Sequence, residues 1–112
     1  MAGWIGVDLD GTLAEYGGWQ GADHIGKPIP LMVNRVKQWI REDREVRIMT
    51  ARVAPMNCEG PETIKAIDDW VRRHIGMSLP ITHEKDFGMI ELWDDRVVQV
   101  IVNTGRRADG KD

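Results

Sequence analysis

Cysteine is almost missing from this chain: Cys58 stands alone, so neither an internal disulfide nor a thiolate metal cage can form. Long apolar runs are missing as well, and Met1-Ala2-Gly3-Trp4 lacks the charged region and apolar core of a secretory leader. A membrane span and a signal peptide are therefore not expected, and the reading is a soluble, cytoplasmic protein with no membrane partner. An excess of one charge is lacking too. Fifteen basic residues face 18 acidic ones, a net charge of −3, which gives no general attraction for nucleic acid or anionic lipid. Repeats, low-complexity tracts and linkers are absent, and 112 residues leave room for one domain, placed at 1–103 with a polar tail at 104–112.

What is present suits a folded core. Hydrophobic residues make up 42% and charged residues 29% of the chain, which excludes whole-chain disorder. Trp4 to Val7 forms an apolar run ending in Asp8-Leu9-Asp10-Gly11, as a buried strand entering a loop would. Residues 14–30 hold four glycines and two prolines, enough breakers for an irregular, hairpin-like excursion. Met32, Val36, Trp39 and Ile40 recur at helical spacing and predict a helix over 31–43. A second strand spans 45–50, and Pro61 opens a helix whose apolar face is Ile64, Ile67, Val71 and Ile75, closed by Gly76. Short strands follow at 79–83, 89–93 and 97–102. The alternation predicts an α/β, Rossmann-like open sheet of about five mainly parallel strands, with helices on both faces and no cap domain.

In such a sheet ligands bind beyond the carboxyl ends of the strands. The polar residues of interest all follow predicted strands: Asp8 and Asp10 after the first, Thr50 after the second, Lys85 after the third, Asp94 and Asp95 after the fourth. Carboxylates gathered this way repel unless a cation or proton joins them, and hard oxygen ligands select magnesium. A phosphate held by that ion would take further contacts from the Thr50 hydroxyl and the Lys85 ammonium.

Asp8-Leu9-Asp10-Gly11-Thr12-Leu13 resembles the first signature of the haloacid dehalogenase superfamily. Val46 to Thr50 is similar to its second motif, Lys85 to its third and Leu92-Trp93-Asp94-Asp95 to its fourth, in the family's order and across essentially the whole chain. The resemblance implies a magnesium-dependent phosphatase in which Asp8 attacks phosphorus to form an aspartyl-phosphate and Asp10 acts as general acid and then base. It also implies magnesium ligands from the Asp8 carboxylate, the Asp10 backbone carbonyl and Asp94, with Asp95 in support. Asp10 argues against a dehalogenase or an ion-pumping ATPase, which differ at that position. One departure is the spacing: Lys85 precedes Asp94 by only nine positions, so Arg52, next to Ala51 in the loop after Thr50, is a further candidate phosphate contact. The intervals between motifs leave no room for a cap, which implies a bulky phosphorylated substrate, such as a nucleic-acid end or phosphoprotein, or closure by a partner subunit. Two alternatives are a catalytically idle metal-binding regulatory module and a receiver-type phosphoacceptor domain. The receiver differs in motif order, since its paired acids lie on the first strand and a single phosphoacceptor on the third.

Overall fold

The computed structural model describes residues 3–112. Four strands, β1 (Trp4–Val7), β2 (Glu45–Met49), β3 (Ile81–Thr82) and β4 (Met89–Trp93), form an all-parallel sheet in the order β3-β2-β1-β4. The helices are α1 (Pro30–Arg41) and α2 (Pro61–His74), with a 3-10 turn at Ala51–Val53. Proline opens both helices, where its missing N–H is not needed. Helix α1 stops at Arg41 because Asp43 takes a left-handed conformation (φ 59°), and the Arg44 amide closes the turn on the Trp39 carbonyl at 2.9 Å. Among the described residues no helix is long and apolar enough to cross a membrane.

The expected α/β open sheet is present, with two differences. Helices do not cover both faces. The chain steps from β1 to β2 to β3 in one direction along the sheet, and right-handed crossovers put both intervening helices on the same side. A single core accordingly unites Ile5, Val7, Val46 and Ile48 of the sheet with Met32, Val33 and Val36 of α1 and Ile67, Trp70 and Val71 of α2. The return from β3 to β4, which would need a helix on the opposite face, is instead made by a strap over residues 83–88.

The strap crosses the helix-free face against Trp4, which is only 2% exposed. The Trp4 indole N–H donates to Asp86 Oδ1 at 2.8 Å, its backbone N–H donates to the Gly88 carbonyl, and the Arg47 guanidinium stacks on its ring at 4.4 Å. One side chain thus does for this face what a helix does elsewhere. Trp4→Ala is expected to cost about 3 kcal/mol or more and to lower the melting temperature by roughly 10 °C, measured by a thermal melt. An unchanged melt would show that the strap packs without Trp4.

The second difference is the fifth strand. Residues 97–102 are not a strand: Val97, Val98, Val100, Ile101 and Val102 are all about half exposed or more. The segment bonds to its own continuation, through the Val100–Arg107 bridge and the Ile101 amide on the Arg106 carbonyl. The expected polar tail at 104–112 is therefore the returning limb of a turn. Of the expected apolar face after Pro61, Ile67, Val71 and Ile75 are buried, and only the first position differs. Ile64 is 48% exposed, while Thr63 is 1% exposed, its hydroxyl accepting from the Glu59 amide at 3.1 Å.

Candidate active site

Strand register brings the acidic residues together. Val7 lies beside both Ile48 and Trp93, so the next residues, Asp8 and Asp94, leave the sheet side by side. The Asp8 amide donates to the Trp93 carbonyl and the Thr50 amide to the Thr82 carbonyl, each at 2.9 Å. After β1 the chain turns at once. Leu9 and Leu13, both fully buried, anchor the turn in the core, and the Leu13 and Ala14 amides close it on the Leu9 carbonyl. Between these anchors Asp10, Gly11 and Thr12 are held out at the strand end. Gly11 has φ 89°, and a Cβ there would lie 2.7 Å from an Asp95 carboxylate oxygen, so this position needs glycine for both conformation and space.

Carboxylate oxygens of Asp8, Asp94 and Asp95 lie within 4.8 Å of one another. The Thr12 hydroxyl is 3.3 Å from Asp8 Oδ2 and 3.2 Å from Asp95 Oδ1, and Asp94 Oδ1 accepts from the Arg96 amide at 2.7 Å. Burial first, and then the Asp94 and Asp95 carboxylates, together push the Asp8 carboxyl up from 3.8 to about 7 against the opposing Thr12 hydrogen bond. No arginine or lysine among the described residues forms an ion pair with these three acids. Hard oxygen donors without a protein counter-charge, one of them (Asp95) packed against Gly11, are a set that could hold a hard divalent cation. The Asp10 carboxylate is outside this group.

Asp10 is instead gripped by Arg52. Arg52 Nε donates to Asp10 Oδ2 at 2.7 Å and Nη2 to Oδ1 at 2.9 Å, a bidentate pair whose arginine side chain is 5% exposed. Arg52 therefore sits among the candidate site residues, with its guanidinium turned to Asp10. Thr50 is buried, and its hydroxyl accepts from the Arg52 amide at 3.1 Å. Asp8, Asp10, Thr50, Ala51, Arg52, Asp94 and Asp95 all line one cavity of about 950 Å³, with Tyr16, Trp19 and Met56 on its exposed rim.

Lys85 does not line that cavity and is exposed. The strap must run back toward the start of β4, so it leaves the carboxyl edge directly after His83, which does line the cavity. His83 and Thr12 are among the residues that sequence reasoning passed over. His83 immediately follows β3, and the rule that sites collect at strand ends points to it once the strand is placed.

The excursion over residues 14–29 is a pinned flap. The Ile29 amide donates to the Leu13 carbonyl and the Glu15 amide to the Lys27 carbonyl. Gly26 rests against the Glu15 carbonyl oxygen, where a Cβ would collide with it, and the Trp70 indole N–H donates to the Gly26 carbonyl at 3.0 Å.

No protein-family model matches the sequence, and no curated protein does. Among solved structures the chain is similar to a conserved protein coded by a locus from Bacteroides thetaiotaomicron, with a TM-score of 0.63 and 23% identity over 88% of this chain and 79% of that one. At that identity the likeness concerns the fold.

Proposed function

We propose that the protein is a magnesium-dependent phosphatase of the haloacid dehalogenase type, working through an aspartyl-phosphate on Asp8. The observation that carries this reading is the convergence of Asp8, Asp94 and Asp95 within 4.8 Å in a cavity that also holds Asp10 and Thr50. Magnesium, held by the Asp8 and Asp94 carboxylates and the Asp10 backbone carbonyl with Asp95 in support, would neutralise charge on the phosphoryl group. The chain's own residues divide the remaining work. The Asp8 carboxylate attacks phosphorus, and Asp10 gives a proton to the departing alkoxide and later takes one from the water that cleaves the intermediate. Thr50 oxygen already accepts a hydrogen bond from the Arg52 amide, which leaves its own hydrogen for a phosphoryl oxygen.

The rim bears on substrate size. Between β1 and α1 the chain holds only isolated bridges, so no separate lid covers the cavity, and Tyr16, Trp19 and Met56 are exposed at its edge. A small ester would be held mainly by its phosphoryl group, whereas a phosphorylated polymer can use the rim to position its phosphate. The proposal is tested by phosphate release in magnesium from phosphorylated nucleotides, sugars, peptides and nucleic-acid ends. A bulky polymer is expected to exceed an aryl phosphate in kcat/KM by about two orders of magnitude. Tyr16→Ala is expected to lower the rate on that polymer by roughly tenfold and on the aryl phosphate far less. A free mononucleotide or sugar phosphate as best substrate would refute the rim argument. Magnesium binding with no release from any ester would favour the regulatory-module alternative.

A further inference from the structure

We propose that Arg52 is a positioning residue that makes the 14–29 flap and the Asp10 carboxylate one mechanical unit, an inference whose kinetic consequence rests on the reading of Asp10 as proton donor and whose mechanical consequence does not. Arg52 is 6% exposed, and its guanidinium is engaged on every edge. Nε and Nη2 grip the two Asp10 oxygens. Nη2 also donates to the His24 carbonyl at 2.8 Å, and Nη1 donates to the Ala22 carbonyl at 3.2 Å. The Trp19 ring covers the guanidinium face at 4.9 Å. The two carbonyls and the indole all belong to the flap, while Asp10 belongs to the anchored turn after β1. The base of the arginine is fixed separately, by its amide on the Thr50 hydroxyl.

A planar fork with several donors in fixed directions can hold a carboxylate and two carbonyls at once, which a lysine ammonium on a flexible stem cannot do. Lifting the flap removes both carbonyl acceptors and the indole cover, so the fork that holds Asp10 loses its supports. Loosening Asp10 removes the anchor on which the flap's acceptors converge. Coupling of this kind is reciprocal. It links contacts made at the Trp19 rim to the residue that handles protons. In the first step an Asp8 oxygen bonds to phosphorus as the P–O bond to the leaving group breaks and Asp10 transfers its proton to the leaving oxygen; in the second a water oxygen bonds to phosphorus as the bond from phosphorus to the Asp8 oxygen breaks, and Asp10 recovers a proton from that water.

Amide hydrogen exchange and leaving-group kinetics on the full chain test this together. In Arg52→Lys, Arg52→Ala and Asp10→Asn, exchange over residues 14–29 is expected to rise at least about tenfold, with α1 and α2 unchanged. In Arg52→Lys the rate ratio of an alkyl phosphate to p-nitrophenyl phosphate is expected to fall by about tenfold or more, because the aryl group leaves without protonation whereas the alkoxide needs it. Flap exchange that stays at the wild-type level in Asp10→Asn overturns the coupling. So does an Arg52→Lys variant in which both esters slow equally, the behaviour of a purely structural arginine. Should Arg52→Ala fail to fold, the lysine and Asp10→Asn variants decide the matter. Wild-type protein that hydrolyses neither ester defeats the phosphatase reading, and the exchange comparison alone then decides whether Arg52 joins Asp10 to the flap.

Discussion

Asp8→Asn is expected to reduce phosphatase turnover by about four orders of magnitude, roughly 5.5 kcal/mol of transition-state stabilisation, while making the metal-free protein more stable at pH 8. The two effects have one cause. An amide keeps the shape of the carboxylate and its hydrogen bond from Thr12 but has no competent nucleophilic oxygen. It also has no charge to set against Asp94 and Asp95 at the same strand end. Between 3.8 and about 7 the folded chain holds a proton on Asp8 that the unfolded chain has released, so Asp8 makes stability fall as pH rises across that interval and stay low above it. Undamped, that difference would be about 4 kcal/mol; solvent screening of a half-exposed group reduces it to about 2 kcal/mol. Denaturant melts of wild type and Asp8→Asn at pH 5 and pH 8 provide the check. The variant should gain on the wild type as pH rises. A parallel pH dependence would show that burial and the neighbouring acids do not hold the Asp8 proton as the site implies, and retained activity in a folded variant would remove Asp8 from its role.

Chelation is expected to abolish turnover and magnesium to restore it, with calcium binding without supporting activity because its larger, looser coordination spoils in-line geometry. The same ion should stabilise the fold in a pH-dependent way. Binding requires Asp8 as the carboxylate, and in the metal-free protein Asp8 gives up its proton only near pH 7. At about ten times Kd the stabilisation is ~1.4 kcal/mol, roughly 5 °C for a domain of this size. That shift should be present at pH 8 and nearly absent at pH 5. Asp94→Asn should remove most of it at pH 8. Activity that survives exhaustive chelation, or a magnesium shift unaffected by Asp94→Asn, would contradict the metal assignment.

Local pattern was enough for the elements whose partners lie in the core. Met32 and Val36 are buried on α1, and Ile67 and Val71 on α2, because a helix with one apolar stripe has one face to bury. Asp8, Thr50 and Asp94 could be placed at a common edge because parallel strands end together. The failures share a different cause, which is dependence on contacts remote in sequence. Val97 to Val102 has the β-branched composition of a strand, but a strand needs a partner, and this segment pairs only with its own return. Lys85 was drawn into the site by order alone, whereas the strap's path is set by Asp86 reaching Trp4 and Arg47 across the sheet. The grip of Arg52 on Asp10 spans 42 positions and has no local signature. Trp4 could be read as part of a buried strand, yet its partners across the second face could not.

The central claim is that Asp8 accepts the phosphoryl group, and the most direct measurement is the mass of the protein after acid quench during turnover of a reactive phosphate ester in magnesium. The account predicts the added mass of one phosphoryl group, localised to the peptide containing Asp8, absent without magnesium and absent in Asp8→Asn. Phosphate release proceeding at full rate with no phosphorylated species in the quenched wild-type protein, or with the phosphoryl group on a peptide that lacks Asp8, would contradict it.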